Sequence, residues 1–205
     1  MLDCRQMASE YITTLADIAQ LPGLIKDGFL KGYAEPRVAF VGRSNVGKSS
    51  LINAIVRSKI ARVSATPGKT RAIHFFRWMD KKKIVVDLPG YGFAKVAKQD
   101  QAEWSGLLDA YFKHETNIEV VFMLFDSRHG PTVQDLDALE YFIGKRIPIQ
   151  IILTKIDQLK NQSERAKRKR EIKESLALYE IDEKELIWVS VNQSHTIDHF
   201  RDRFV

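Results

Sequence analysis

Cysteine is almost absent from this chain: Cys4 is the only one in 205 residues. An internal disulfide is therefore impossible, which suits a reducing compartment. No apolar run approaches the ~18 residues that a membrane helix needs. The opening "MLDCRQMASEYITTLADIAQL" carries Asp3, Glu10 and Asp17 within its apolar pattern and has no basic region leading into an apolar one. Neither a membrane span nor a secretory signal is expected, and the expected location is cytoplasmic. Internal repeats and low-complexity linkers are missing too.

What the chain does have is core-forming material. Hydrophobic residues make up 44% and aromatic residues 10%, which excludes a disordered chain. The length suits one domain, which typically takes roughly 100–200 residues. A formal charge of +6 leans toward an anionic partner without identifying it.

Periodicity predicts an amphipathic helix over residues 6–20, with Tyr11, Leu15, Ile18 and Ala19 on one face, ended by the "LPGL" break. Beyond it, strand-like runs occur at 37–42, 73–79, 83–89, 119–126, 148–155 and 186–191. Helical patterns fall at about 48–57, 98–114, 132–145, 162–179 and 196–203. Trp104, Leu107, Leu108, Tyr111 and Phe112 follow the spacing of a core-facing stripe. The second and third runs are separated only by "DKK", too little for a helical crossover, so that pair is expected to be antiparallel. The rest alternates strand and helix. This predicts an α/β fold: a three-layer sandwich, an about six-stranded, mostly parallel sheet with one antiparallel strand and helices on both faces. Ligands of such sheets sit beyond the carboxyl ends of the strands.

One loop there has a recognisable chemistry. Gly42, Arg43, Ser44, Asn45, Val46, Gly47, Lys48 and Ser49 fit G-x-x-x-x-G-K-[ST] between a strand and a helix. The glycines let the backbone curl so that its N–H groups face phosphate oxygens, and the helix dipole adds positive potential. Lys48 is expected to reach the β- and γ-phosphates, and the Ser49 hydroxyl to ligate Mg²⁺. The pattern predicts a site for a nucleoside triphosphate.

"TKID", comprising Thr154, Lys155, Ile156 and Asp157, ends a strand about 105 residues later. The Asp157 carboxylate accepts from the adjacent N1–H and 2-amino donors of guanine, whereas adenine offers an acceptor at N1. The Lys155 stem can cover the face of the base, so GTP is preferred over ATP. "DLPG", comprising Asp87, Leu88, Pro89 and Gly90, supplies a carboxylate to hold Mg²⁺ through water and a backbone N–H for the γ-phosphate. The residues after it are expected to change order with nucleotide state. "SATPGKTR" offers Thr70 as a second hydroxyl on Mg²⁺, with Thr66 as competitor.

The segments "GRSNVGKSSLINA", "TPGKTR", "DLPGYGFAKV", "DSRHGPTVQD" and "TKID", in this order, resemble the bacterial EngB (YihA/YsxC) family, in the translation-factor-related branch of Ras-like P-loop GTPases. The resemblance runs from about residue 20 onward. It implies a GTPase domain over 23–205, and the helical pattern before it makes residues 1–22 an expected helical extension. It further implies a cytoplasmic, Mg²⁺-dependent enzyme that converts GTP to GDP and acts in assembly of the large ribosomal subunit, with a link to cell division and septation. The partner implied is the large subunit or its precursor, met by a monomer away from membranes. Carried over residue by residue, the nucleotide site adds Gly68, Lys69, Thr70, Arg71 and Ala72, with Ser49 and Thr70 as metal ligands. A segment touching guanine O6 through backbone N–H groups is placed at Val189, Ser190 and Val191, although Val191 departs from the usual S-A or S-S pair.

Tyr91 stands where Ras-like enzymes carry a water-orienting glutamine, so slow intrinsic hydrolysis is expected. Asn45 matches an asparagine that coordinates K⁺ in related GTPases; its alternative role is to stabilise the loop. Lys48, Asn45 and Thr70 are thus the candidate catalytic residues. His195 and His199, four apart, lack a third ligand and are read as surface residues. The cation runs "RAKRKRE" (165–171) and "KKK" (81–83) are either solvated faces or contacts to an RNA backbone. A GTP-sensing interaction module that regulates division, with incidental hydrolysis, is the rival reading.

Overall fold

The computed structural model describes residues 9–26, 29, 34–61, 72–91, 98–182 and 185–204. Its strands are β1 (Glu10–Leu15), β2 (Arg37–Gly42), β3 (Ile73–Trp78), β4 (Lys83–Asp87), β5 (Ile118–Asp126), β6 (Ile149–Thr154) and β7 (Leu186–Trp188). The helices are α1 (Leu21–Lys26), α2 (Lys48–Val56), α3 (Lys98–His114), α4 (Val133–Gly144), α5 (Gln162–Leu176) and α6 (Ser194–Phe204). One sheet holds all seven strands of the described residues in the order β1-β3-β4-β2-β5-β6-β7. The pairs β4–β2, β2–β5, β5–β6 and β6–β7 are parallel, while β3 runs antiparallel to both β1 and β4. A single strand is therefore reversed, as expected from the short β3–β4 connection.

The central strands are buried on both faces, which is why they read as unbroken apolar runs. In β2 all six residues are buried. Ala39 and Val41 face one core with Leu107, Leu108 and Tyr111 of α3, Leu139 and Phe142 of α4, and Ile172 and Leu176 of α5. Val38 and Phe40 face the other with Leu51, Ile52 and Ile55 of α2 and Ile197 and Phe200 of α6. Each such large apolar side chain contributes roughly 1.5–3 kcal/mol by leaving water. Trp104 and Phe112 of the predicted α3 stripe pack against the first core from its margin.

The N-terminal segment differs from expectation. Where periodicity predicts a helix over 6–20, and with it a helical extension over 1–22, residues 10–15 form β1. Tyr11, Ile12, Thr13 and Thr14 are aromatic or β-branched and favour a pleated surface. The outer edge of β3 offers unpaired backbone groups that a strand can satisfy and a helix cannot. Tyr11 pairs with Phe76 across a register shift before Thr13, and the two rings meet edge to face. The Arg77 guanidinium donates to Glu10 at 2.8 Å. This strand is the seventh, one more than predicted. "LPGL" also fails to break the chain: it lies inside α1, because proline is tolerated in a helix's first turn.

Candidate functional site

Strand β2 lies between β4 on one side and β5 on the other, the switch point where doubly wound sheets open a crevice. Gly42 ends β2 there. A Cβ on Gly42 would stand 2.8 Å from Val46 Cγ1 and 3.0 Å from Leu124 O, so only glycine lets the loop fold back on itself. The loop climbs over buried Val46 and enters α2 through Gly47 at φ 103°. Asn45 sits at φ 64°, a left-handed conformation that asparagine tolerates better than most residues. Conformation thus gives Asn45 a structural reason of its own.

Gly90 passes against this loop so closely that a Cβ there would stand 3.0 Å from the Gly42 carbonyl oxygen. Arg43 and Tyr91 form a parallel backbone bridge. "DLPG" and the phosphate loop are thereby one surface. At its floor the Lys48 ammonium is ion-paired with the Asp87 carboxylate, both largely buried. A cation and a carboxylate converging beneath inward-curled backbone is a donor set that fits a polyphosphate with its divalent metal. Ser49 follows on the first turn of α2.

The "TKID" turn is tied to the same loop. The Thr154 hydroxyl donates to Val46 O at 2.8 Å and the Lys155 ammonium to Asn45 O at 2.6 Å. Lys155 is itself left-handed, at φ 60°. Asp157 is gripped from both sides, by the Ser190 hydroxyl on Oδ1 at 2.6 Å and the Asn192 amide on Oδ2 at 2.8 Å. These two bonds, Ser190's first, hold the Asp157 carboxyl below its ordinary range, so it stays an acceptor.

Of the segment Val189 to Val191, two backbone donors are already committed. Val189 N–H bonds Leu153 O and Ser190 N–H bonds the Thr196 hydroxyl. Val191, 46% exposed, is the one of the three whose N–H is uncommitted among the described residues. Among the described residues Val191 is thus the one of the three left with a backbone donor for the expected contact, while Ser190 meets Asp157 through its side chain. Of the carried-over segment 68–72, Ala72 is described, whereas Gly68, Lys69, Thr70 and Arg71, and the competitor Thr66, lie outside the described residues. The sequence reading missed Asn192, one residue past "VSV", and gave no role to Asp126, Arg128 or Asp135 of "DSRHGPTVQD".

The Tyr91 side chain packs against α3 and α4. Its hydroxyl donates to Asp135 at 2.9 Å, its ring meets Trp104 edge to face, and burial followed by the Asp135 charge pushes its pKa well up. His195 and His199 are exposed on α6. A hollow of about 620 Å³ lined by Phe112, Lys113, Ile118, Lys145 and Pro148 lies at the opposite, amino-terminal edge of β5 and β6 and shares no residue with this site. No helix among the described residues is long and apolar enough to cross a membrane.

Residues 37–155 match the profile of a family described as 50S ribosome-binding GTPase. The chain is 47% identical over 165 residues to the probable GTP-binding protein EngB of Thermotoga maritima, covering 80% of this chain and 81% of that protein. It is 47% identical over 139 residues to the probable GTP-binding protein EngB of Aquifex aeolicus, covering 67% and 75%. A crystal structure of a probable GTP-binding protein EngB superposes with a TM-score of 0.61 at 23% identity, covering 82% of this chain and 95% of that one. Aquifex aeolicus Era bound to GDP and AlF4⁻ superposes with a TM-score of 0.60 at 22% identity, covering 81% and 56%. At these identities the two structures speak for the fold alone.

Proposed function

The chain belongs to the EngB GTP-binding proteins of the ribosome-binding GTPase family, and from that premise we propose that it is a Mg²⁺-dependent GTPase switch acting in assembly of the large ribosomal subunit, and through it linked to cell division and septation. The observation that carries the nucleotide reading is the pair of bonds from Thr154 and Lys155 to the carbonyls of Val46 and Asn45. They hold a phosphate loop and a guanine-selective carboxylate as one unit.

In this reading the backbone of residues 42–49 cradles the phosphates, Lys48 leaves Asp87 for the β- and γ-oxygens, and Asp157 accepts from the base. Ser49 and Thr70 would ligate Mg²⁺, with Asp87 behind a water; when bound, the ion neutralises charge developing on the phosphates. Chemistry by positioning and electrostatics suits the site, since Tyr91 supplies no amide to orient water and its hydroxyl is occupied by Asp135. Slow intrinsic hydrolysis is the consequence.

Asn45, exposed at the mouth of the loop, would coordinate K⁺. GTP turnover is then expected to run several-fold faster in KCl than in NaCl at equal ionic strength. Equal rates would remove K⁺ and leave Asn45 its conformational role alone.

The partner reading draws on charge. Helix α5 exposes Arg165, Lys167, Lys169 and Arg170, a surface suited to an RNA backbone. The hairpin lysines contribute less, because Lys81 bonds Arg201 O and Lys83 pairs with Glu119. In sucrose gradients the GTP-loaded monomer is expected to travel with large-subunit particles, the GDP form to stay behind, and added salt to release it steeply. GTP binding without co-sedimentation would favour the interaction module instead. Cytoplasmic location completes the proposal.

A further inference from the structure

The first half of "DSRHGPTVQD" has a place in this architecture that the nucleotide reading leaves unused. Asp126 closes β5 and is 4% exposed, a poor location for an unpaired charge. Four donors meet its carboxylate. Oδ1 accepts from the Arg128 backbone N–H at 3.1 Å and from Arg128 Nε at 2.9 Å. Oδ2 accepts from Arg128 Nη2 at 2.6 Å and from Lys155 Nζ at 2.8 Å. Lys155 Nζ in turn reaches Asn45 O.

The guanidinium does not stop at Asp126. Its Nη1 donates to Gln158 Oε1 at 2.9 Å, on the single turn Ile156–Gln158 that carries Asp157. Arg128 therefore spans from the end of β5 to the far side of the base-recognition turn, and its planar fork is the side chain suited to that span. Burial alone would raise the Asp126 carboxyl, but the bonds from Arg128 and then Lys155 outweigh it and hold it well below the carboxylate range. Asp126 is thus an anion at neutral pH and keeps both cations in place.

We propose that Arg128 is a positioning residue for guanine recognition, fixing Lys155 through Asp126 and the Asp157 turn through Gln158 without touching nucleotide itself. The proposal rests on Asp157 being the guanine-reading group. Its energetic logic is that of a charged pair at a recognition site: loss of one partner loosens the bound state and appears mainly in the rate of release.

The test uses the full chain and the fluorescent nucleotides mant-GDP and mant-ADP. R128A is expected to release mant-GDP about tenfold faster than the unaltered protein. It should raise KM for GTP by a similar factor, with kcat at saturation nearly unchanged. R128K, which keeps the charge and loses the fork, should fall between; should R128A fail to fold, R128K release alone decides. In a K155A background the effect of R128A should shrink, since one of its two routes is gone. If the unaltered chain prefers mant-GDP over mant-ADP while R128A or R128K releases it at the original rate, the positioning role is overturned and the guanine reading stands. Full additivity of R128A and K155A overturns it as well. If the unaltered chain shows no such preference, the guanine reading falls and takes this proposal with it.

Discussion

Lys48→Ala is expected to abolish measurable GTP binding and, independently, to lower the stability of the nucleotide-free protein. Lys48 and Asp87 are ion-paired at the floor of the phosphate loop, with Asp87 only 4% exposed. Removing one member of a buried pair leaves an uncompensated charge, a loss of about 3–5 kcal/mol. For a chain of this size each kcal/mol moves Tm by roughly 2–4 °C, so thermal unfolding without nucleotide should start about 10 °C lower. The double variant Lys48→Met, Asp87→Asn removes both charges together, and should recover most of that stability while binding no GTP. The comparison separates the structural from the functional role of the lysine. A Lys48→Ala protein that unfolds at the original temperature would contradict the buried pair. One that still binds mant-GTP with the original affinity would contradict the phosphate assignment.

The second large effect is a change of base. Asp157→Asn replaces a group that accepts on both oxygens with one that accepts on one side and donates on the other. Guanine offers two adjacent donors, so one of two charge-assisted bonds becomes a donor–donor clash. Bonds to a charged group contribute roughly 1.5–3 kcal/mol each, and every ~1.4 kcal/mol is a factor of ten. GDP affinity should therefore fall by about 10² or more. Xanthine carries a carbonyl where guanine carries its amino group, so the asparagine pattern complements it and xanthosine diphosphate binding should rise. The surroundings sharpen the effect. Ser190 donates to one Asp157 oxygen and Asn192 to the other, so an amide at 157 must turn its NH₂ toward one of those donors. The Ser190 hydroxyl can rotate to accept, whereas the Asn192 amide nitrogen cannot. A calorimetric titration with GDP within about threefold of the unaltered protein would refute the role of Asp157 as base reader.

Most of the elements are legible in the sequence, for reasons visible in particular residues. Strand β2 is buried along its whole length because it is central, so it reads as an apolar run from Val38 to Val41, and at Gly42 it ends in a loop that a Cβ would obstruct. Helix α3 declared itself through the spacing of Trp104, Leu107, Leu108 and Tyr111. The error at residues 6–20 has the same origin as these successes. Apolar residues at 11, 15, 18 and 19 satisfy helical spacing, but the open edge of β3 lies about sixty residues away in sequence, and no local pattern reports it. The site divides along the same line. The phosphate loop and "TKID" are contiguous strings whose chemistry is local. The grip on Asp157 by Asn192, on Lys155 by Asp126 and on Tyr91 by Asp135 joins residues about 29 to 44 positions apart. Contacts of that kind depend on where the sheet brings strand ends together, and a hydroxyl or amide that makes one looks in sequence like any other polar residue.

The pairing of β1 with β3 also bears on how the chain emerges during its own synthesis. Tyr11 and its neighbours are made well before Phe76, their partner across the sheet. At about 5–20 residues per second, that interval lasts several seconds. Throughout it, a stretch rich in β-formers has nothing to align with, while β2 is in the same position until β4 follows. β1 therefore cannot dock until β3 has been made, although it is translated earlier, and until then its β-forming residues stay without their partner.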